Sequence, residues 1–194
     1  MAGREQADWN FVLHPSEVTI LGVGNVILRD EGFGVRVAED LDAHYTFPGC
    51  VQIVDGGTLG IELTQYVTGT KKLLVIDSIN GGKVPGTRFA FRNDAVMAHF
   101  QEKLSAHEVG IQDVLALLAV TGKKIPEVAV IGAQPYDLEA GVALSDEMLA
   151  LVPEVAAEGI AILKDWGIEA RGKEAAGRMD FQTVAEEKIR KSMA

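Results

Sequence analysis

Short apolar runs bounded by glycines and acids recur along this chain and alternate with stretches of helical spacing. Val18 to Gly22 is apolar at positions of both parities, as expected of a central parallel strand buried on its two faces. A helix is predicted from about Gly34 to Tyr45, where Val35, Val37, Ala38 and Leu41 fall near helical spacing. Val51 to Val54 reads as a second strand, Gly60 to Val67 as a short helix and Lys72 to Ile76 as a third strand. Thr87 to Arg92 alternates polar and apolar residues, which fits an edge strand. A helix is expected from about Gly110 to Val120, with Ser105 to Glu108 in the loop before it. Glu127 to Gly132 is a fifth apolar strand. Ser145 is the N-cap expected for a long helix ending at Gly167, with Asp146 and Glu147 in its first turn. Pro153 inside that pattern should kink or restart it.

Strands alternating with helices imply βαβ units, hence an α/β single domain with a mostly parallel five-stranded sheet and helices on both faces. The chain has 194 residues, enough to bury one full core. Residues 1–16 are polar and irregular and read as a leader, 17–168 as the domain, and 169–194 as a C-terminal extension. A small amphipathic helix is expected in that extension around Phe181 to Ile189.

The net charge of −10 argues against a nucleic-acid partner, which would need a basic face. The single cysteine, Cys50, excludes an intrachain disulfide and a thiolate zinc cluster, and is expected as a buried structural thiol. No charged-then-apolar signal pattern opens the chain, and the longest apolar run, Val114 to Val120, is too short to span a bilayer. A cytoplasmic monomer with no membrane partner is the expectation.

The stretch from Ile20 to Gly34 carries the first chemical signal. A strand ending in Gly22-Val23-Gly24 suggests a phosphate-binding turn, but Ile27 stands where the third glycine of a dinucleotide fingerprint belongs. The loop delivers Asp30 and Glu31 instead, and carboxylates repel phosphate. No nucleotide cofactor is expected, and a dinucleotide-dependent oxidoreductase is set aside.

Ligands in an open parallel sheet collect at the carboxyl ends of the strands. Glu31 follows strand one, Asp55 ends strand two and Asp77 ends strand three. His107, in a loop before a helix, is the best placed of the four histidines to join them. Two carboxylates and an imidazole suit zinc, nickel, manganese or iron(II), and three protein ligands leave positions open for water or substrate. No Walker loop and no serine-nucleophile elbow is present.

Seven ordered blocks then carry a family likeness. They are Leu21-Gly22-Val23-Gly24-Asn25, Asp30-Glu31-Gly32-Phe33-Gly34-Val35, and Asp55-Gly56-Gly57-Thr58 with Gly60. Leu74-Val75-Ile76-Asp77, Pro85-Gly86-Thr87, Ser105-Ala106-His107-Glu108-Val109-Gly110 and Gly132-Ala133-Gln134-Pro135 complete the set. In these blocks the chain resembles the hydrogenase maturation proteases, endopeptidases that trim the C-terminus of the large subunit of nickel–iron hydrogenases. The resemblance implies a twisted five-stranded sheet flanked by helices. It implies that Glu31, Asp77 and His107 are the metal-binding and catalytic positions, contacting nickel held in the large-subunit precursor, so that nickel insertion licenses cleavage. Glu31 in place of a second aspartate keeps the ligand chemistry. Asp77 or Glu31 would be the general base of an aspartyl-type protease unless the metal itself activates the bond. The turn Asp55, Gly56, Gly57 and Thr58 would bind substrate. The alternative is a non-catalytic nickel chaperone for hydrogenase assembly that uses the same three residues.

Overall fold

The computed structural model of the chain describes residues 16–96 and 106–173. Residues with apolar neighbours on both sides form its centre: β1 (Val18–Val23) is buried along its whole length. The chain turns through a 3-10 segment, Arg29–Gly32, into α1 (Phe33–His44). Next come β2 (Tyr45–Thr46) and β3 (Val51–Gly57). A 3-10 turn, Ile61–Leu63, leads into the single-turn α2 (Thr64–Val67), and then β4 (Lys72–Ser78). β5 (Arg88–Arg92), α3 (Ala106–Val120), β6 (Glu127–Ala133), α4 (Asp146–Asp165) and β7 (Arg171–Gly172) complete the described elements.

One five-stranded sheet carries the order β3-β1-β4-β6-β5, and β5 alone runs antiparallel to its neighbour. The expected α/β architecture, with a mostly parallel sheet and an edge strand at Thr87 to Arg92, is what forms. Alternation along each strand divides the core. Ile20, Leu74, Ile76 and Ile131 pack with Phe33, Val37, Leu41, Met148 and Val155 of α1 and α4. Leu21, Leu73, Val75 and Val130 pack on the other face with Ile111, Val114 and Leu118 of α3. Each fully buried side chain of this size contributes about 1.5–3 kcal/mol, so the two layers fix the register of the sheet.

Three local expectations need correction. Helix α3 begins at Ala106, so His107 lies in its first turn and not in a loop before it. Gly110 is tolerated inside the helix because the apolar stripe Ile111, Val114, Leu118 is anchored on the sheet. Helix α4 runs unbroken from Asp146 to Asp165 through Pro153. Pro153 is exposed, so the Leu149 carbonyl that loses its helical donor can turn to water. Cys50 is half-buried and not a core thiol, because it precedes β3 at the open edge of the sheet. Residues 1–15 of the leader and the segment Phe181 to Ile189 lie outside the described residues.

Candidate active site

The carboxyl edge of the sheet is built by the loops that leave β1, β3, β4 and β6. Gly24 and Gly34 let the first of these loops sit close to the strand ends. Gly24 has φ +131°, and a Cβ there would lie 1.8 Å from the Glu31 carbonyl oxygen. A Cβ on Gly34 would lie 2.0 Å from the Ile76 carbonyl oxygen and 2.4 Å from that of Val23. These contacts place the half-buried Glu31 over the ends of β1 and β4.

Asp77 stands next along β4, only 3% exposed. Its Oδ1 accepts the Ser78 backbone N–H at 2.7 Å, which ties the carboxylate to its own strand. Alternation along β4 turns Asp77 to the face of Leu73 and Val75, the face that α3 covers. His107 opens α3 on that face, and its side chain lies outside the described residues. Among the described side chains no three of His, Cys, Asp and Glu gather closely enough to hold a metal ion.

Asp55 sits apart from that pair. It ends β3, two strands from Asp77 in the sheet order, and is exposed. Its Oδ1 accepts the Gly57 N–H at 3.0 Å and so shapes its own turn, where Gly57 adopts φ +45°. Gly56 is buried and Thr58 exposed in the same turn. Strand parity turns Asp55 toward α1, with Val51 and Ile53, while Asp77 faces the opposite layer.

Two buried polar side chains that were not among the candidate site residues pin this edge. Asp30, fully buried, accepts hydrogen bonds from the N–H groups of Tyr136 and Asp137, each at 2.9 Å. It also accepts from Ser145 N–H at 2.7 Å and from Ser145 Oγ at 2.9 Å. Gln134, 7% exposed, accepts the Lys83 N–H at 3.1 Å and donates to Asn80 Oδ1 at 3.0 Å. The loops after β1, β4 and β6 are thereby held around Asp77. The sequence signal for Asp30 was its place beside Glu31, but nothing in the chain says which of two adjacent acids turns inward.

Arg29 at the tip of the first loop pairs with Asp137 of the last. The hydrogen bond holds Arg29 above its ordinary value. The Glu139 N–H first, and then Arg29, hold the Asp137 carboxyl below the usual carboxylate range.

With this geometry in place, comparison with known proteins identifies the lineage. The hydrogenase maturation protease family matches residues 35–162 of the chain. The chain belongs to the hydrogenase maturation proteases. It is 36% identical to the hydrogenase 2 maturation protease of Escherichia coli over 159 residues, 81% of this chain and 97% of that protein. It is 40% identical to the hydrogenase expression/formation protein HoxM of Cupriavidus necator over 152 residues, 77% of this chain and 75% of that one. The solved structure of the hydrogenase maturating endopeptidase HybD from Escherichia coli superposes with a TM-score of 0.78 at 35% identity. That match covers 81% of this chain and 98% of HybD. A maturation protease is a peptidase.

Proposed function

We propose that this peptidase removes a C-terminal peptide from the precursor of a nickel–iron hydrogenase large subunit after nickel has been inserted. In this reading Glu31, Asp77 and His107 contact the nickel of the precursor, which is part of the substrate. Asp77, or Glu31 beside it, takes a proton from the attacking water, and the turn Asp55 to Thr58 holds the substrate chain.

One observation carries the reading toward a protein substrate. Ile27, Leu59, Ile61, Val84, Tyr136 and Leu138 are large apolar side chains that are 40–77% exposed. All six sit on the loops after β1, β3, β4 and β6, so they ring the edge that carries Glu31 and Asp77. Apolar tips around an acidic centre suit the surface of a folded partner better than a small polar molecule. Among the described residues no helix is long and apolar enough to cross a membrane. Carboxylate and imidazole donors without a thiolate suit brief contact with a metal that stays in its own protein.

The test is a cleavage time course with the Asp77→Asn variant on the nickel-loaded cognate precursor. The carboxamide keeps the shape but cannot accept the proton, so cleavage should cease. Full retained activity overturns the assignment.

A further inference from the structure

Strand β3 closes one end of the sheet: β1 lies on one side of it, and among the described residues no strand pairs with the other. Val18 N–H donates to the Cys50 carbonyl at 3.0 Å. Alternation then turns the backbone groups of Cys50, Gln52 and Val54 toward β1 and those of Val51, Ile53 and Asp55 outward. The Val51 N–H bonds the Pro48 carbonyl at 3.0 Å, which leaves Ile53 and Asp55 as the outward N–H groups of the edge.

The side chains of Val51, Ile53 and Asp55 form one wall of a groove of about 480 Å³. Val35, Ala38, Glu39 and Asp42 of α1 form its other wall, and Tyr45 and Phe47 close it below. The groove starts at the carboxyl edge, at Asp55, and ends where Lys173 meets the last turn of α1. From Asp55 to Val51 it spans roughly 13 Å, four rises of an extended strand. Val51 and Ile53 offer half-buried apolar side chains, Val35 and Ala38 lie buried beneath them, and Asp42 and Asp55 stand exposed at the rim. Glu39 bonds Arg36 at 2.9 Å and Asp55 keeps one oxygen on the Gly57 N–H, so Asp42 and the second oxygen of Asp55 are the acidic groups nearest an occupant, with Lys173 the cation of the lining.

We propose that the C-terminal segment of the precursor docks here by strand addition, pairing antiparallel with β3. This rests on the proposed function, because the direction follows from where the bond is cut. If the scissile bond lies at the edge beside Glu31 and Asp77, the chain beyond it enters at Asp55 and runs toward Val51. It bonds to the Ile53 and Asp55 backbone, buries alternate apolar side chains between β3 and α1, and brings a basic side chain to Asp42 or Asp55. Main-chain pairing gives affinity with little demand on sequence, and the groove selects for small or medium apolar residues. Lys173 at the far end faces the terminal carboxylate.

The experiment measures amide hydrogen exchange of the whole chain with and without a synthetic peptide of the cognate precursor's C-terminal segment, at millimolar concentration. Strand addition slows exchange at Ile53 and Asp55 at least tenfold and leaves Gln52 and Val54, already bonded to β1, unchanged. A second arm follows precursor cleavage by Ile53→Pro, which deletes an outward N–H without touching the β1 ladder, and by Ile53→Val, which keeps it. Ile53→Pro should raise KM at least tenfold with kcat little changed, and Ile53→Val, which keeps the N–H, should raise it far less. Cleavage with no protection at Ile53 and Asp55, or an unchanged KM in Ile53→Pro, overturns the docking and leaves the protease reading standing. Protection without any cleavage of the nickel-loaded precursor supports the strand pairing and overturns the proposed cleavage of that precursor.

Discussion

The Asp30 carboxylate holds Ser145 with both oxygens, Oδ1 accepting the backbone N–H at 2.7 Å and Oδ2 accepting the hydroxyl at 2.9 Å. Ser145 in turn caps α4 through the Met148 N–H at 3.2 Å. A buried acid before the first helix therefore fixes where the last helix begins, across 115 positions of sequence. It also orients its neighbour Glu31, since the same short 3-10 segment carries both.

Asp30→Ala removes the acceptor for four donors at a fully buried position. Orphaned donors of this kind cost about 1–3 kcal/mol each in isolation, and partial relaxation brings the expected loss to roughly 3–4 kcal/mol. Urea denaturation measures it. A loss below about 1 kcal/mol would mean that the loop after β6 finds other partners.

Ser78 predicts the opposite sign. Its hydroxyl is buried and, among the described residues, has no hydrogen-bond partner. Ser78→Ala deletes that unsatisfied group and should stabilise the fold by about 1 kcal/mol with cleavage unchanged. Lost activity in a stable Ser78→Ala protein would show that the hydroxyl serves the reaction.

Gly34→Ala places a methyl against two backbone carbonyls, those of Ile76 at 2.0 Å and Val23 at 2.4 Å. Neither strand can yield without disturbing the sheet, so the cost is about 3 kcal/mol. The lifted helix also displaces Glu31, and cleavage should fall further than stability alone accounts for. Thermal melting and a cleavage assay on the folded fraction separate the two effects.

The Arg29–Asp137 pair sets a pH dependence. The Asp137 carboxyl titrates below its ordinary value of 3.8, so its contribution is complete above that value and is lost as pH falls through the folded one. The loop contact should thus persist to lower pH than an ordinary aspartate would allow. Arg29→Gln should raise the Asp137 midpoint toward the ordinary value, as read by carboxyl carbon NMR. An unchanged midpoint would assign the shift wholly to the Glu139 N–H.

Strands and site edges were legible where one physical demand dominated. Val18 to Gly22 and Lys72 to Ile76 announce buried central strands because water is excluded from both their faces, and Thr87 to Arg92 announces an edge by its alternation. Glu31, Asp55 and Asp77 could be placed at one edge because strand polarity fixes where each run ends. Faces of that edge were not legible. Asp55 and Asp77 lie on opposite layers, a consequence of strand parity relative to helices whose positions no local pattern encodes. The two-residue pairing of Tyr45–Thr46 with Arg171–Gly172 is likewise invisible, because it joins distant segments through backbone bonds alone. The start of α3 was misplaced because glycine's poor helix propensity outweighed the weak signal of Ala106 to Val109.

The most direct test of the account is mass spectrometry of a cognate large-subunit precursor incubated with this protein, once with nickel loaded and once without. Loss of a C-terminal peptide from the nickel-loaded form alone is the predicted result. Cleavage of both forms would contradict nickel recognition by Glu31, Asp77 and His107. An intact nickel-loaded precursor would contradict the proposed cleavage itself.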